Sequence, residues 1–575
     1  MGLLKKVDKA KPLRSMNRGG ADGISALRPA QVVKLPPCSK TCPSDNDIRG
    51  WLTIIAQREK LGLGLEEACD RAFAIEAETN PFPAIMGRVC PHPCEGQCNR
   101  SHKDGAVGIN SVERFIGDWA IARDLPLPKL EVGGPFPERI AVIGAGPSGL
   151  SCAYQMARRG YQVTVFESLA KTGGMLRYGI PVYRLPRHII DAEVKRIQAL
   201  GIEIRCNVTI GKDITLDALR RDFSAIYVAI GAHQGKKVGV PGEDGPGVYT
   251  GTEFLRQVNA GTPPPVGKRV VIVGGGDTAI DAARVCLRCG QDAASISRRM
   301  GSDVTILYRR TRDEMPAIAR EIDEAIEEDI KIEFLAAPAR IVRDAGGNVA
   351  RMVVQRMALG EPDASGRRRP VPIEGKLDEI EVDTVVAAVS QQPDVKALGA
   401  FQEKGWLAID DWGRTQEEKV WSGGDNVNLG LATTSIGQGR KAAVSMHATL
   451  RGIEPRLNGR GPDIGPERIK MDFFESRLPV QRSVMGPDER LANPAAEIDR
   501  GITEQQALAE VSRCFSCGSC FGCERCWMYC TPSCFKKVTV TTPPKPGDYY
   551  TVKLDTCDGC KKCADECPCG FLDMA

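Results

Sequence analysis

The chain has 575 residues, 42% hydrophobic, 26% charged and 5% aromatic, with a formal net charge of +4. That balance fits several globular domains and offers no basic stripe interleaved with aromatics of the kind nucleic acid requires. No apolar stretch approaches a membrane span, the start Met1-Gly-Leu-Leu-Lys-Lys is too short an apolar region for a secretory leader, and 22 cysteines without a leader point to metal ligation in the cytoplasm, not disulfides.

Residues 1–36 are basic, contain Pro and Gly and show little periodicity, and they read as an arm draped on the core or on a neighbour. Residues 37–135 read as helical, with Cys38, Cys42, Cys90, Cys94 and Cys98 at loop tips. Cys69, and further on Cys152 and Cys206, sit in helical or strand contexts and read as small buried hydrophobes.

A doubly wound α/β region follows. The strand Ile140-Ala-Val-Ile143 runs into Gly144-Ala-Gly146-Pro147-Ser148-Gly149, a helical stretch reaches about Arg159, and the next strand, Val163–Phe166, ends on Glu167. Gly144 permits the tight turn, Gly146 lets the backbone approach a pyrophosphate, Gly149 allows close helix–strand packing, and Glu167 stands where an acid accepts ribose hydroxyls. The helix N-terminus adds amide donors for the phosphates. A second turn, Gly274-Gly275-Gly276-Asp277-Thr278-Ala279, repeats the pattern. Its following strand, Val304–Tyr308, ends on Arg309-Arg310, which suits a ribose 2′-phosphate better than a free hydroxyl and favours NADPH over NADH. Two dinucleotide folds let a nicotinamide pass a hydride to a flavin. The flavin domain is expected over 136–248 and again over 391–455, the nicotinamide domain over 249–390, and a connector over 456–512. Cys286-x2-Cys289 lies on a helix with no second pair nearby and reads as packing.

Twelve cysteines lie between Cys514 and Cys569. Cys520, Cys523, Cys526 and Cys530 have the spacing C-x2-C-x2-C-x3-C, repeated by Cys557, Cys560, Cys563 and Cys567. Such paired runs mark an α+β ferredoxin domain with two [4Fe-4S] clusters, here over 513–575, in which the fourth cysteine of each run crosses to the other cluster. Cys567 then joins Cys520, Cys523 and Cys526, and Cys530 joins Cys557, Cys560 and Cys563. The two halves are joined by β-rich residues, Lys537–Thr541 and Tyr549–Lys553. Cys514 and Cys517 continue the x2 steps and leave a shifted register open, with Cys514, Cys517 and Cys520 holding a cluster; Cys534 and Cys569 are spares. A one-electron cluster chain beside a two-electron nicotinamide makes a flavin the required converter between them.

Several stretches resemble the glutamate synthase small-subunit type of flavin oxidoreductase, in a form with a fused ferredoxin domain: Gly173-Gly174-Met175-Leu-Arg-Tyr-Gly179-Ile180-Pro181 with Arg184-Leu-Pro186, Tyr308–Pro316, Ser422-Gly-Gly424-Asp425, and Thr434-Ser-Ile-Gly437-Gln438. The resemblance implies FAD contacts from the first, third and fourth stretches, with Asp425 on the ribityl-phosphate side and the helix opening near Gly437 aimed at the isoalloxazine O2. It implies one amino-terminal [4Fe-4S] cluster on Cys42, Cys90 and Cys94 with Glu113 as fourth ligand, a fully cysteinyl set drawing on Cys98 or Cys38 being the alternative. No cysteine precedes Cys38, so Cys38 and Cys98 are left over from a second cluster that lacks two ligands, unless a partner supplies them. The implied function is an NAD(P)H-linked, FAD-containing oxidoreductase exchanging single electrons with a partner subunit, such as a 2-oxoacid:acceptor oxidoreductase or a sulfite-reductase-type enzyme. The small subunit of a glutamate synthase and a non-catalytic electron-transfer scaffold are the competing readings.

Overall fold

The computed structural model describes residues 25–130, 134–289, 302–364, 366–396, 402–457, 461–538 and 547–575. The first part of the expected arm and the Thr539–Thr541 end of an expected β-rich segment lie outside them. Two five-stranded parallel sheets form the centre. The first runs in the order Val420–Ser422, Ala225–Val228, Arg139–Ile143, Gln162–Glu167, Glu203–Cys206, so a strand from far along the chain closes one edge. The second has the order Lys331–Phe334, Asp303–Tyr308, Arg269–Val273, Thr384–Ala387, Val248–Thr250. Central strands such as Ile140–Val142 and Val270–Ile272 are apolar without alternation because both faces are covered; on the second sheet Val270 and Ile272 pack on helices and Val271 on the strands that carry Ile341 and Met352. The chain passes between the two units through paired crossings, where Gln391–Gln392 lies antiparallel to Gln234–Gly235. A three-stranded antiparallel sheet, Ala336–Arg343, Val349–Pro362 and Arg368–Glu381, is inserted into the second unit.

Residues 37–122 fold as helices, among them Ile48–Ala56, Leu65–Ala77, Pro83–Val89 and Ile109–Ala122. The last two cross at backbone distance: a Cβ on Gly87 would lie 2.3 Å from the Arg114 Cα, and one on Gly117 would lie 2.1 Å from the Ala84 nitrogen. Among the described residues no helix is long and apolar enough to cross a membrane.

The first and last described strands meet. Pro29–Gln31, within the expected arm, pairs antiparallel with Leu572–Met574. The short hairpin Phe535–Lys537 with Tyr550–Val552 and the helices Arg525–Tyr529 and Lys562–Asp565 complete that unit. The helix Glu504–Val511 opens on a capping box in which Thr503 and Gln506 satisfy each other's backbone amides. It then lays Glu510 and Arg513 into the amino-terminal helical unit. The Glu510 carboxylate accepts from the Gly108 and Val480 amides at 2.7 and 2.9 Å, and Arg513, only 1% exposed, pairs with Glu510 at 2.5 Å and Asp104 at 3.2 Å.

Glu510→Ala removes the nearer of the two carboxylates that pair with the buried Arg513 and leaves the Gly108 and Val480 amides without their acceptor, at a cost of about 3 kcal/mol. Amide exchange over residues 504–517 is expected to quicken roughly 100-fold, the equivalent of that cost; unchanged exchange there would contradict this account of the docking.

Candidate functional site

The first glycine turn opens on a cavity of about 410 Å³, lined by Gly144, Gly146, Pro147, Ser148, Glu167, Gly174, Met175, Gly424 and Asp425. Gly144 has a φ of +105°, and a Cβ there would sit 2.2 Å from the Ala229 carbonyl oxygen, so only glycine makes this turn. At Gly146 the nearest atom to an added Cβ is the Gly174 Cα at 3.8 Å, which leaves the space above the turn open for a pyrophosphate. Gly149 packs against the Gly144 carbonyl and does not line the cavity. Burial pushes the Glu167 carboxyl up, while the Leu169 and Ala145 amides, donating at 2.8 and 2.7 Å, oppose that shift and fix its orientation. Asp425 is pushed up to about 6 by burial and accepts from the Gly430 amide at 3.2 Å. This donor set, with an open glycine turn at a helix N-terminus and a fixed acid at the end of the next strand, fits the FAD expected there.

A second cavity, of about 680 Å³, lies over Gly274, Gly275, Gly276 and Thr278. Asp277 does not line it; its carboxylate accepts from the Ile318 amide at 3.0 Å. Arg309 and Arg310 both line the cavity, and they differ. Arg310 is buried, pairs with Asp363 at 2.6 Å and donates to the Arg368 carbonyl at 2.7 Å, while Arg309 is exposed. Arg367 joins them on the wall. Leu429 lines this cavity and Asp425 the first, so one short segment borders both nucleotide sites.

Six residues named from the resemblance, Gly179, Ile180, Arg184, Thr434, Gly437 and Gln438, line neither cavity. Arg184 is buried, holding Asp281 with two bonds at 2.8 and 2.7 Å and Glu321 at 3.2 Å, so it ties the two sheet units together. Gly437 lies in the second turn of the helix Ala432–Arg451, where a Cβ would come 2.1 Å from the Pro43 carbonyl oxygen; the close approach is to the loop after Cys42. Gly179 packs over Met175, and Ile180 packs on the core. Thr434 and Gln438 lie on the same helix as Gly437, and the Gln438 side chain accepts from the Gly424 amide at 2.6 Å, bracing the loop that carries Asp425. Sequence reasoning missed Arg256 and Lys396 on the wall of the first cavity, as well as Arg367. They come from a surface helix and from connecting segments, and no local motif marks them.

The cysteines gather in sets. Cys42, Cys90, Cys94 and Glu113 converge: burial first, then the Glu113 carboxylate, raises the Cys90 and Cys94 thiols, with Cys42 adding to both. Glu113, pushed up to about 7 by burial, accepts from Asn80 at 3.1 Å and from Asn110 at 3.3 Å. Cys520, Cys523, Cys526 and Cys567 line one small cavity, and Cys530, Cys557, Cys560 and Cys563 line another, which are the crossed sets. Cys514 and Cys517 are not with Cys520. They line a separate cavity with Cys38 and Cys98, because Glu504–Val511 carries them back onto the helical unit. The shifted register is thereby set aside, and Cys38 and Cys98 are not isolated. Among the described residues no three His, Cys, Asp or Glu side chains sit close enough to hold a single metal ion. Such sulfur-lined cavities, with thiols standing apart, fit the body of a cluster. Cys69, Cys152 and Cys286 are buried in hydrophobic cores.

Gly146→Val would fill the space facing Gly174, and flavin absorbance per purified chain is expected to vanish. Arg184→Ala should keep full flavin content while losing about 3 kcal/mol of stability to denaturant, because it leaves Asp281 buried without its partner while Glu321 keeps only Arg284, at 2.7 Å. Flavin loss in the arginine variant would return Arg184 to the cofactor site.

Comparison with known proteins agrees with this geometry. The pyridine nucleotide-disulphide oxidoreductase family model matches residues 138–439, and the model for dihydropyrimidine dehydrogenase domain II, 4Fe-4S cluster, matches residues 25–125. The NADP(+)-dependent formate dehydrogenase subunit beta of Moorella thermoacetica is 36% identical over 538 residues, with 86% of this chain and 73% of that protein covered. The NADPH-Fe(3+) oxidoreductase subunit beta of Geobacter sulfurreducens is 34% identical over 524 residues, covering 84% and 75%. The Escherichia coli glutamate synthase [NADPH] small chain is 33% identical over 441 residues, covering 71% of this chain and 87% of its own length. The chain belongs to the pyridine nucleotide-disulphide oxidoreductase family, in the group that includes the glutamate synthase small chain, and is an oxidoreductase whose cofactors are FAD, NAD(P)H and [4Fe-4S] clusters.

Proposed function

We propose that this chain is the nicotinamide-linked electron-transfer subunit of a larger enzyme, joining NADPH to a partner's redox centre. The observation that carries the reading is that one fold holds both kinds of site: two nucleotide cavities bordered by the same 425–429 segment, a Cys42 loop seated on the flavin-side helix at Gly437, and two thiol-lined cavities in the carboxy-terminal unit. FAD, when bound, takes a hydride as an electron pair and gives electrons up singly. The chain's own residues hold and orient. Gly144, Gly146 and the amides beginning the helix Pro147–Ala157 would cradle the flavin pyrophosphate, with Glu167 on its ribose, and Gly274–Thr278 would do the same for the nicotinamide nucleotide. Gly437 brings the loop of Cys42 against the flavin-side helix, which puts the Cys42, Cys90, Cys94 and Glu113 set next in line. The two crossed cysteine sets would hold the clusters nearest the partner. Residues 553–558 beside the second of these are exposed or half-exposed, with Leu554 at 46% and nearby Tyr529 at 41%, which leaves apolar surface for a docking subunit. Relatives named as beta subunits of a formate dehydrogenase and an NADPH-Fe(3+) oxidoreductase support the subunit reading over a free-standing enzyme.

Cys557→Ala with Cys560→Ala tests the route. The pair should remove about four irons per chain and leave NADPH-driven reduction of a small dye intact, while transfer to the co-purifying partner is lost. Full partner-linked turnover in that variant would contradict the proposal. For the nucleotide, Arg309 is exposed to a 2′-phosphate whereas Arg310 is committed to Asp363. Arg309→Ala is therefore expected to raise the KM for NADPH roughly 10-fold, the loss of one charge-assisted hydrogen bond, with little change for NADH. Equal shifts for both would remove the basis for the preference.

A further inference from the structure

Cys38 shares a cavity with thiols from the far end of the sequence. It belongs to the five-residue helix Pro37–Thr41, whose next turn reaches Cys42. Cys38 and Cys42 therefore point to two different surroundings: Cys42 towards Cys90 and Cys94, Cys38 into a cavity shared with Cys98, Cys514 and Cys517. Two of these four thiols come from the amino-terminal helical unit and two from the segment beyond Glu504–Val511, more than 400 residues later.

The backbone around Cys514 repeats a turn found at every other cysteine set. In Cys520-Phe-Gly522-Cys523 and in Cys557-Asp-Gly559-Cys560 the residue after next is left-handed, with φ of +67° and +73°, and its amide donates to the first thiol at 3.4 Å. Cys90-Pro-His92-Pro-Cys94 does likewise, with His92 at +44° and its amide 3.3 Å from the Cys90 sulfur. Cys514-Phe-Ser516-Cys517 has the same form: Ser516 lies at +53° and donates to the Cys514 sulfur at 3.4 Å. A serine takes that conformation at a cost that glycine avoids, so something must hold it. Ser516 is held by its own hydroxyl, which donates to the Ser519 carbonyl at 2.9 Å. The Asn99 side-chain amide also points at the Cys517 sulfur, 3.5 Å away, and Arg49 donates to the Cys517 carbonyl at 2.6 Å. Amide donors aimed at sulfur and a cation behind them are how a protein stabilises anionic thiolates around an iron–sulfur cluster.

We propose that Cys38, Cys98, Cys514 and Cys517 ligate a further [4Fe-4S] cluster, closed only when the carboxy-terminal segment docks on the amino-terminal helices. It rests on the iron–sulfur reading above and adds a site to it. Three of its ligands adjoin members of the neighbouring sets in sequence. Cys38 is one helical turn from Cys42, Cys98 is four residues from Cys94, and Cys517 is three residues from Cys520. A single electron enters this site from one neighbouring cluster and leaves to the other; no bond is made or broken there and no proton moves.

The test is metal content of the anaerobically purified full chain, expressed per bound flavin. The wild type is expected to hold about sixteen irons, four for each of four cubanes. Cys514→Ala with Cys517→Ala, and separately Cys38→Ala with Cys98→Ala, should each lose about four irons and keep flavin, while Cys206→Ala should lose none. If either pair retains all its iron, the proposal is wrong. Cys557→Ala with Cys560→Ala separates the two levels of the argument: loss of iron there but not from the 514/517 pair overturns only this site, and loss from neither overturns the cluster chain as a whole. Should a pair variant fail to fold, the wild-type ratio decides, with about sixteen irons supporting the fourth cubane and about twelve or fewer overturning it.

Discussion

A buried charge cluster holds the carboxy-terminal segment on the amino-terminal helical unit. Arg100, Asp104, Glu510 and Arg513 are all nearly inaccessible; Arg100 binds Asp104 through two bonds of 2.7 Å and also donates to the Arg513 carbonyl. The paired guanidinium of Arg100 holds the Asp104 carboxyl well below the usual range. Each charge in such a set is costly to bury alone and tolerable only with its partners in place, so the set allows one docking geometry and penalises near misses. The segment beyond residue 504 enters the helical unit at this contact, and further along it Leu572–Met574 pairs with Pro29–Gln31.

With that contact fixed, the remaining joints are short-range. Phe515 lies under the Arg100 guanidinium, 4.9 Å from ring centre to charge, and stacks near Phe474 at 4.3 Å. Lys60 of the helical unit donates to the Phe521 carbonyl at 2.7 Å, and Tyr549 donates to Gln57 at 2.5 Å, so the carboxy-terminal unit is clamped on its cysteine-bearing side. On the opposite flank Gly437 seats the Cys42 loop on the helix Ala432–Arg451, and Arg440 pairs with Asp45 at 3.0 Å. The helical unit thus touches the flavin unit with one cysteine-bearing loop and the carboxy-terminal unit with another. An electron-transfer protein needs rigid neighbours more than mobile ones, because transfer depends on fixed separations.

Local chemistry was legible in the sequence, and tertiary placement was not. The glycine turns announce themselves because a tight strand-to-helix turn demands glycine wherever it occurs, and the repeated cysteine spacing carries its own crossing rule. Cys38 and Cys98 looked orphaned because their neighbours in the fold, Cys514 and Cys517, are distant in sequence and brought home by Glu510 and Arg513, whose role shows only in three dimensions. Arg184 stands in a segment that resembles a flavin contact, yet the direction of a guanidinium is set by what it meets, here Asp281 and Glu321. Arg310 was likewise read with Arg309 as a pair; Asp363, at the turn between two strands of the inserted antiparallel sheet, separates them.

The central claim is that electrons from a nicotinamide reach iron–sulfur clusters through this single chain. Anaerobic addition of NADPH to the full-length protein, followed by low-temperature electron paramagnetic resonance, tests it most directly. The account predicts that NADPH both bleaches the flavin and produces the signal of reduced [4Fe-4S] clusters, with more reducing equivalents taken up than the flavin alone can hold. Bleaching of the flavin with no cluster signal would contradict it.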